Sequence, residues 1–286
     1  MQANPYSLEQ LSAAYKNSCM AELQALKPGN VHAFADGHGM TIYDFIKSAE
    51  VSASVIAKAD ISVGERILGA IAATQHSVGL NTNLGLVLLC APLIHAAWHR
   101  SAMETLQQSL SNTLRQLTVD DAMRAGQAIV LANPAGLGRA DEYDVKQTPS
   151  VSLLEMMRSA QTKDRIAWQY AHDFSDIFDF GLARYAEAMA KWQNQAWATT
   201  ALYLGFLTRQ LDSHIVRKYG ESLAIAVRNE ARDIEVEYWA TNNPKLMQKK
   251  LLAWDVSLKQ RDINPGTSAD LTVASLLLSA LTDSSV

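Results

Sequence analysis

Apolar residues recur along this chain at intervals of three and four. Leu8, Leu11, Tyr15, Cys19, Leu23 and Leu26 form one stripe down a helical face. Ser7 and Gln10 ahead of them match a capping box, so the pattern predicts a first helix from Ser7 to Lys27, ended by Pro28. The same start signal recurs at Thr41 with Asp44, Ser62 with Glu65 and Thr118 with Asp121, followed by apolar positions such as Ile42, Phe45, Ile46 or Ile67, Leu68, Ile71. Helical patterns continue over Ser150 to Gln161, Ser175 to Trp192, Asn194 to Arg209, Glu221 to Ala240, Pro244 to Lys259 and Ser268 to Leu281. Strand-like alternation is nearly absent and there is no internal repeat. About ten or more helices with short connections predict a single compact all-α domain over 1–286.

The most apolar run, Leu84 to Trp98, is shorter than the ~20 residues a membrane-spanning helix needs, and it contains Pro92 and His95. It reads as a buried helix, in the core of one chain or at the interface of a homo-oligomer. Periodicity fits both.

Composition supports a soluble globular protein: 286 residues, 48% hydrophobic and 19% charged. A net charge of −4 leaves no overall basic field for nucleic acid or an anionic membrane. Anionic ligands must therefore be held by local groups. Cys19 and Cys90, the only two cysteines, both fall in apolar helical patterns, which suits buried free thiols in a reducing cytoplasm. MQANPYSLEQ lacks a basic region followed by an apolar core, so no secretory signal is expected.

A few loops carry more Gly, Pro, Asn, Asp and basic residues than turning requires. LKPGNVHAFADGHGM (26–40) offers Lys27, Asn30, His32, Asp36 and His38. Its histidines and aspartate invite zinc, but the spacing matches no familiar ligand motif and no cysteine is nearby. GLNTNLG (79–85) sets Asn81, Thr82 and Asn83 before the most apolar helix, either as hydrogen-bonding groups for a ligand or as an Asx-type turn. RQLDSHIVRKYG (209–220) brings Asp212, His214, Arg217 and Lys218 together, which suits a Mg²⁺–phosphate site or a solvated helix end. In NPGTSADL (264–271), Pro265 and Gly266 break the chain and Ser268 is placed to cap the next helix. The amides of that first turn suit a phosphate or carboxylate, and Asp270 suits the positive end of the dipole. GRADEYDV (138–145) clusters Arg139, Asp141, Glu142 and Asp144, as metal ligands, a general base or a solvated turn. There is no nucleophile elbow, Walker loop or dinucleotide fingerprint.

Taken in order, LKPGNVHAFADGHGM, GLNTNLGLVLLCAPL, the Asp212 segment and NPGTSADL resemble the triphosphoribosyl-dephospho-CoA synthases, over nearly the whole chain. The resemblance implies an all-α enzyme that takes ATP, displaces adenine from the anomeric carbon and joins the triphosphoribosyl group to a hydroxyl of dephospho-CoA. It implies Mg²⁺, with Asp212 as metal ligand or cation stabiliser, His32 beside it in the catalytic set, and Lys27, Arg217 and Lys218 on phosphate. Asn30, Asn81, Thr82, Asn83, Gly266, Ser268 and Asp270 would line the same pocket.

The sequence also departs from that family's pattern. His32-Ala33 follow PGNV where members serving citrate lyase have Asp-Arg after PGLV, Asn83-Leu84 replace His-Lys, and Leu211-Asp212-Ser213-His214 replace Gly-Asp-Thr-Asn. The PGNVH/NTNLG variant resembles a branch found in archaea and methylotrophic bacteria with methanopterin-type cofactors, so a related cofactor precursor is an alternative acceptor. Two other readings compete: an N-glycosidic hydrolase using water, and a non-catalytic helical binding protein.

Overall fold

Most helix starts in this protein are set by capping residues within one turn. A computed structural model describes residues 6–134 and 148–282; the Arg139, Asp141, Glu142 and Asp144 cluster lies outside them. Among the described residues the elements are α1 (Leu8–Gln24), α2 (Ile42–Ile56), α3 (Val63–Val78), α4 (Leu84–His99), α5 (Leu106–Arg115), α6 (Val119–Ala132), α7 (Leu153–Ala160), α8 (Arg165–Ala171), α9 (Leu182–Trp192), α10 (Gln195–Arg209), α11 (Ser213–Tyr219), α12 (Glu221–Ala240), α13 (Gln248–Gln260) and α14 (Gly266–Thr282). A π-helical turn, Asp176–Gly181, leads into α9, and a 3₁₀ turn, Pro244–Met247, into α13. No strand occurs among these residues, and none of their helices is long and apolar enough to cross a membrane.

The predicted caps form. At Ser7, Ser62 and Thr118 the side-chain oxygen accepts the amide three residues on, whose own side chain accepts the cap amide. At Thr41 the amide and hydroxyl both donate to Asp44. Several boundaries differ from the sequence pattern. α1 ends at Gln24, because Ala25 turns extended and Lys27 folds back onto the helix. α14 begins at Gly266, two residues before Ser268, because its first turn is capped by Asp212 from elsewhere in the chain. The segment from Ser175 opens as a π turn before becoming α-helical.

α4 is buried on nearly every side, as its unbroken hydrophobicity predicts, and it lies in the core of this single chain. Each fully buried leucine there contributes about 1.5–3 kcal/mol of transfer free energy. Pro92 interrupts its hydrogen-bond ladder by leaving the Leu88 carbonyl without a donor. The Tyr170 hydroxyl from α8 donates to that carbonyl at 2.6 Å, which removes the cost of a buried orphan acceptor. α14 packs on α1, α4 and α10. Its Leu271, Val273 and Leu277 belong to the core built on α4, and its Ala269 to a second core of α10, α12 and α13. The N-termini of α4 and α14 therefore meet where both cores end.

Candidate active site

Asp212 ties two helix starts together. Its Oδ1 accepts the amides of His214 (3.0 Å) and Ile215 (3.3 Å), capping α11. Its Oδ2 accepts the amide and hydroxyl of Ser268, both at 2.8 Å, at the first turn of α14. The carboxylate favoured at this helix N-terminus is thus the protein's own. Burial pushes the Asp212 carboxyl up, and the Ser268, Ile215 and His214 donors pull it back. His214 packs against Gly266, where a β-carbon would lie 2.5 Å from its Nδ1. Burial, with Arg217 and Lys218 close by, lowers the His214 imidazole to about 4.

The opening loop is built around the buried Lys27 side chain. Lys27 Nζ donates to Glu22 of α1, to Asn30 Oδ1 at 2.9 Å and to the Val31 carbonyl at 2.9 Å. Burial lowers the Lys27 ammonium, with Glu22 opposing. Asn30 Nδ2 donates to Asn264 Oδ1 at 2.8 Å. The Gly29 amide donates to Asp255 Oδ1 at 2.8 Å, and that oxygen lies 3.4 Å from His32 Nε2. His32 Nδ1 accepts the Phe34 amide, so the neutral ring carries its proton on Nε2. Burial depresses the His32 pKa, with Asp255 opposing.

These loops enclose one cavity of about 1190 Å³. Arg217 and Lys218 mark a cationic end: Arg217 pairs with Asp164 at 3.1 Å and Lys218 with Asp262 at 2.7 Å. Asp262 is held down at about 2 by Lys218 and His38. Met40, Phe45, Leu86, Met156, Met157 and Ile166 form an apolar wall. Between them stand Asn81, Thr82, Asn83 and two carboxyls, Glu22 and Asp270. Asp270 is seated on the first turn of α4, where a β-carbon on Gly85 would lie 2.0 Å from Oδ2. NTNLG and SADL are therefore halves of one contact. Burial raises the Asp270 carboxyl well above the carboxylate range, Asp212, Glu22 and Asp164 push it further, and Arg217 opposes.

Of the residues singled out from sequence, Asn30, Asn81, Thr82, Asn83, Arg217, Lys218, Gly266 and Asp270 border this cavity. Lys27, His32, Asp212 and Ser268 are buried behind its wall. Glu22 escaped the pattern, although its place three residues after Cys19 and four before Leu26 puts a charge on the apolar face of α1. Asp164, Asp262 and the methionines of α7 carry no local signal. Among the described residues no group of three or more His, Cys, Asp or Glu could hold a metal ion. Both Asp212 oxygens already accept two hydrogen bonds each.

The cavity thus has a cationic end, an apolar wall and acid groups along its lining. Residues 8–286 match the family described as CitG, ATP:dephospho-CoA triphosphoribosyl transferase, and the chain belongs to that family. It is a triphosphoribosyl transferase of the triphosphoribosyl-dephospho-CoA synthase type, and ATP as substrate fits that family. The fold is shared with a solved structure from Archaeoglobus fulgidus, described as that of a candidate triphosphoribosyl-dephospho-CoA synthase. The two are 23% identical, with a TM-score of 0.63, over 83% of this chain and 98% of that one. No curated protein matches the chain.

Proposed function

We propose that the cavity holds MgATP and an acceptor alcohol together, moves the triphosphoribosyl group from N9 of adenine to the acceptor hydroxyl, and releases adenine. The acceptor is dephospho-CoA or a closely related cofactor precursor. The carrying observation is that all the family motifs converge on one cavity whose ends differ in chemistry. Its volume of about 1190 Å³ exceeds the roughly 300–1,000 Å³ of a pocket for one drug-sized ligand, which suits two substrates.

Arg217 and Lys218 exchange their carboxylate partners for phosphate oxygens, a trade of one charge-assisted bond for another. Asn81, Thr82 and Asn83 serve the ribose and base edges, and the apolar wall takes the purine face and the acceptor's non-polar arm. Lys27, Asn30, Asp212, His32, Gly266 and Ser268 position these groups: the saturated Asp212 clamps α11 to α14, and Lys27 opposes the rise that burial gives the Glu22 carboxyl. A ribosyl transfer passes through an oxocarbenium-like state that a nearby carboxylate stabilises, and Glu22 is placed for that. Mg²⁺ enters with the triphosphate as part of the substrate, since it binds through phosphates and few protein carboxylates. Cys19 and Cys90, buried and unbonded, fit work in the reducing cytoplasm.

The test is incubation of purified protein with ATP, Mg²⁺ and dephospho-CoA, following adenine by chromatography and the conjugate by mass. Adenine with a triphosphoribosyl adduct is the expected result. Free ribose triphosphate without an adduct would replace the transferase reading by hydrolysis. Arg217→Gln and Lys218→Gln should each weaken ATP binding about tenfold, about 1.4 kcal/mol. Unchanged calorimetric affinity in both would move the phosphate site elsewhere.

A further inference from the structure

The partners of three carboxyls in this region differ sharply. Asp212 accepts four hydrogen bonds. Glu22 faces the Lys27 ammonium. Asp270 borders the cavity beside both of them, and no donor among the described residues reaches its carboxyl. It is pressed instead onto Gly85, against which the Ile166 side chain also packs. One site thus contains two carboxylates with partners and one carboxyl without. The unpartnered group is the one that keeps its proton, since ionising it would set a bare charge beside two others. Carboxyls driven apart in this way take opposite roles in acid–base catalysis.

We propose that Asp270 is the general acid that protonates the departing purine, with Glu22 accepting the proton of the acceptor hydroxyl. The inference rests on the transfer reaction described above. Adenine leaves poorly as an anion, so the step needs a proton at the ring. As the bond between C1′ and N9 breaks, its electron pair passes into the purine and the Asp270 proton goes to N7. The acceptor oxygen closes on C1′, and its proton passes to Glu22. Neutral adenine and the glycoside are the products, and the proton gained by Glu22 balances the one lost by Asp270. The raised Asp270 carboxyl keeps the acid loaded at neutral pH. The geometry also explains Gly85, because any larger residue would displace the acid from its seat.

The discriminating substrate is ATP methylated at N7, whose purine departs as a neutral molecule without needing a proton. Asp270→Asn mimics the shape of the protonated acid. It should bind ATP within about threefold of wild type in calorimetry and release adenine about 10²–10⁴-fold more slowly. It should cleave the methylated nucleotide at close to the wild-type rate, after subtraction of spontaneous release. The wild-type rate on ATP should fall at high pH as the acid ionises, and that limb should be absent with the methylated substrate. Asp270→Ala, which removes the acid together with its shape, should show the same selective rescue. Equal losses on both nucleotides would make Asp270 a binding or packing residue and overturn the proposal, as would full turnover of ATP by Asp270→Asn. Wild-type protein that binds ATP yet frees no adenine with any acceptor would overturn the transfer reaction itself, and the acid with it.

Discussion

Gly85 leaves room for a hydrogen and no more. A β-carbon there would stand 2.0 Å from Asp270 Oδ2, 2.6 Å from its Cγ and 2.8 Å from Ile166 Cδ1, and α4 is too enclosed to retreat. Gly85→Ala should cost about 1–3 kcal/mol, as overpacking a filled interior does, and should lower adenine release more than tenfold by tilting Asp270. Urea denaturation alongside the release assay checks both; a fully active, equally stable variant would mean that the Asp270 seat is soft. Glu22 and Lys27 form a buried ion pair beside the cavity. Lys27→Met leaves a buried carboxylate without its cation and should cost about 3–5 kcal/mol, whereas adding Glu22→Leu should recover most of that loss. Turnover should stay lost in the double variant, because the carboxylate is needed at the ribose. A lysine acting directly on phosphate would instead show as lost ATP affinity with little change in stability.

At the scale of elements, what could be read from sequence divides by distance along the chain. Capping boxes were legible because Ser7 meets Gln10, and Ser62 meets Glu65, within one turn. The start of α14 was not, because its cap is Asp212, 56 residues before Ser268. Asp212→Ala removes four hydrogen bonds and two helix caps at once. It should destabilise the protein by about 2–4 kcal/mol, each cap contributing about 0.5–2 kcal/mol. The amides of Ser268, His214 and Ile215 should become selectively faster in hydrogen exchange. If those amides stay protected and only activity falls, Asp212 acts on substrate rather than on the helices. The cavity was partly legible for the same reason: short motifs named Asn81 to Asn83, Arg217, Lys218 and Asp270. The burial of Lys27, His32 and Asp212 depends on Glu22, Asp255 and Ser268, partners that spacing alone does not reveal.

For the whole molecule, the cavity trades stability for chemistry, and pH exposes the trade. Asp270 binds its proton more tightly in the folded chain than in the unfolded one, because desolvation and the neighbouring Asp212, Glu22 and Asp164 disfavour its charged form. Between the ordinary carboxylate pKa and the raised folded value, the folded state holds the extra proton. Stability from this group is therefore fully present below the unfolded pKa and is lost as pH rises through the folded one. Asp270→Asn has no proton to lose, so the variant should gain on wild type steadily as pH rises from about 4 and should be the more stable protein at neutral pH. Buried groups that Asp270 does not perturb, such as His95 and His214, both lowered to about 4, titrate in both proteins and cancel in the difference. Chemical denaturation of the pair across pH measures that difference directly. A gap that widens with pH, in a variant that has lost turnover, would show a catalytic group held against the stability of the fold. A flat difference would mean that Asp270 ionises freely in the folded protein, and the acid would have to be sought in another residue of the cavity.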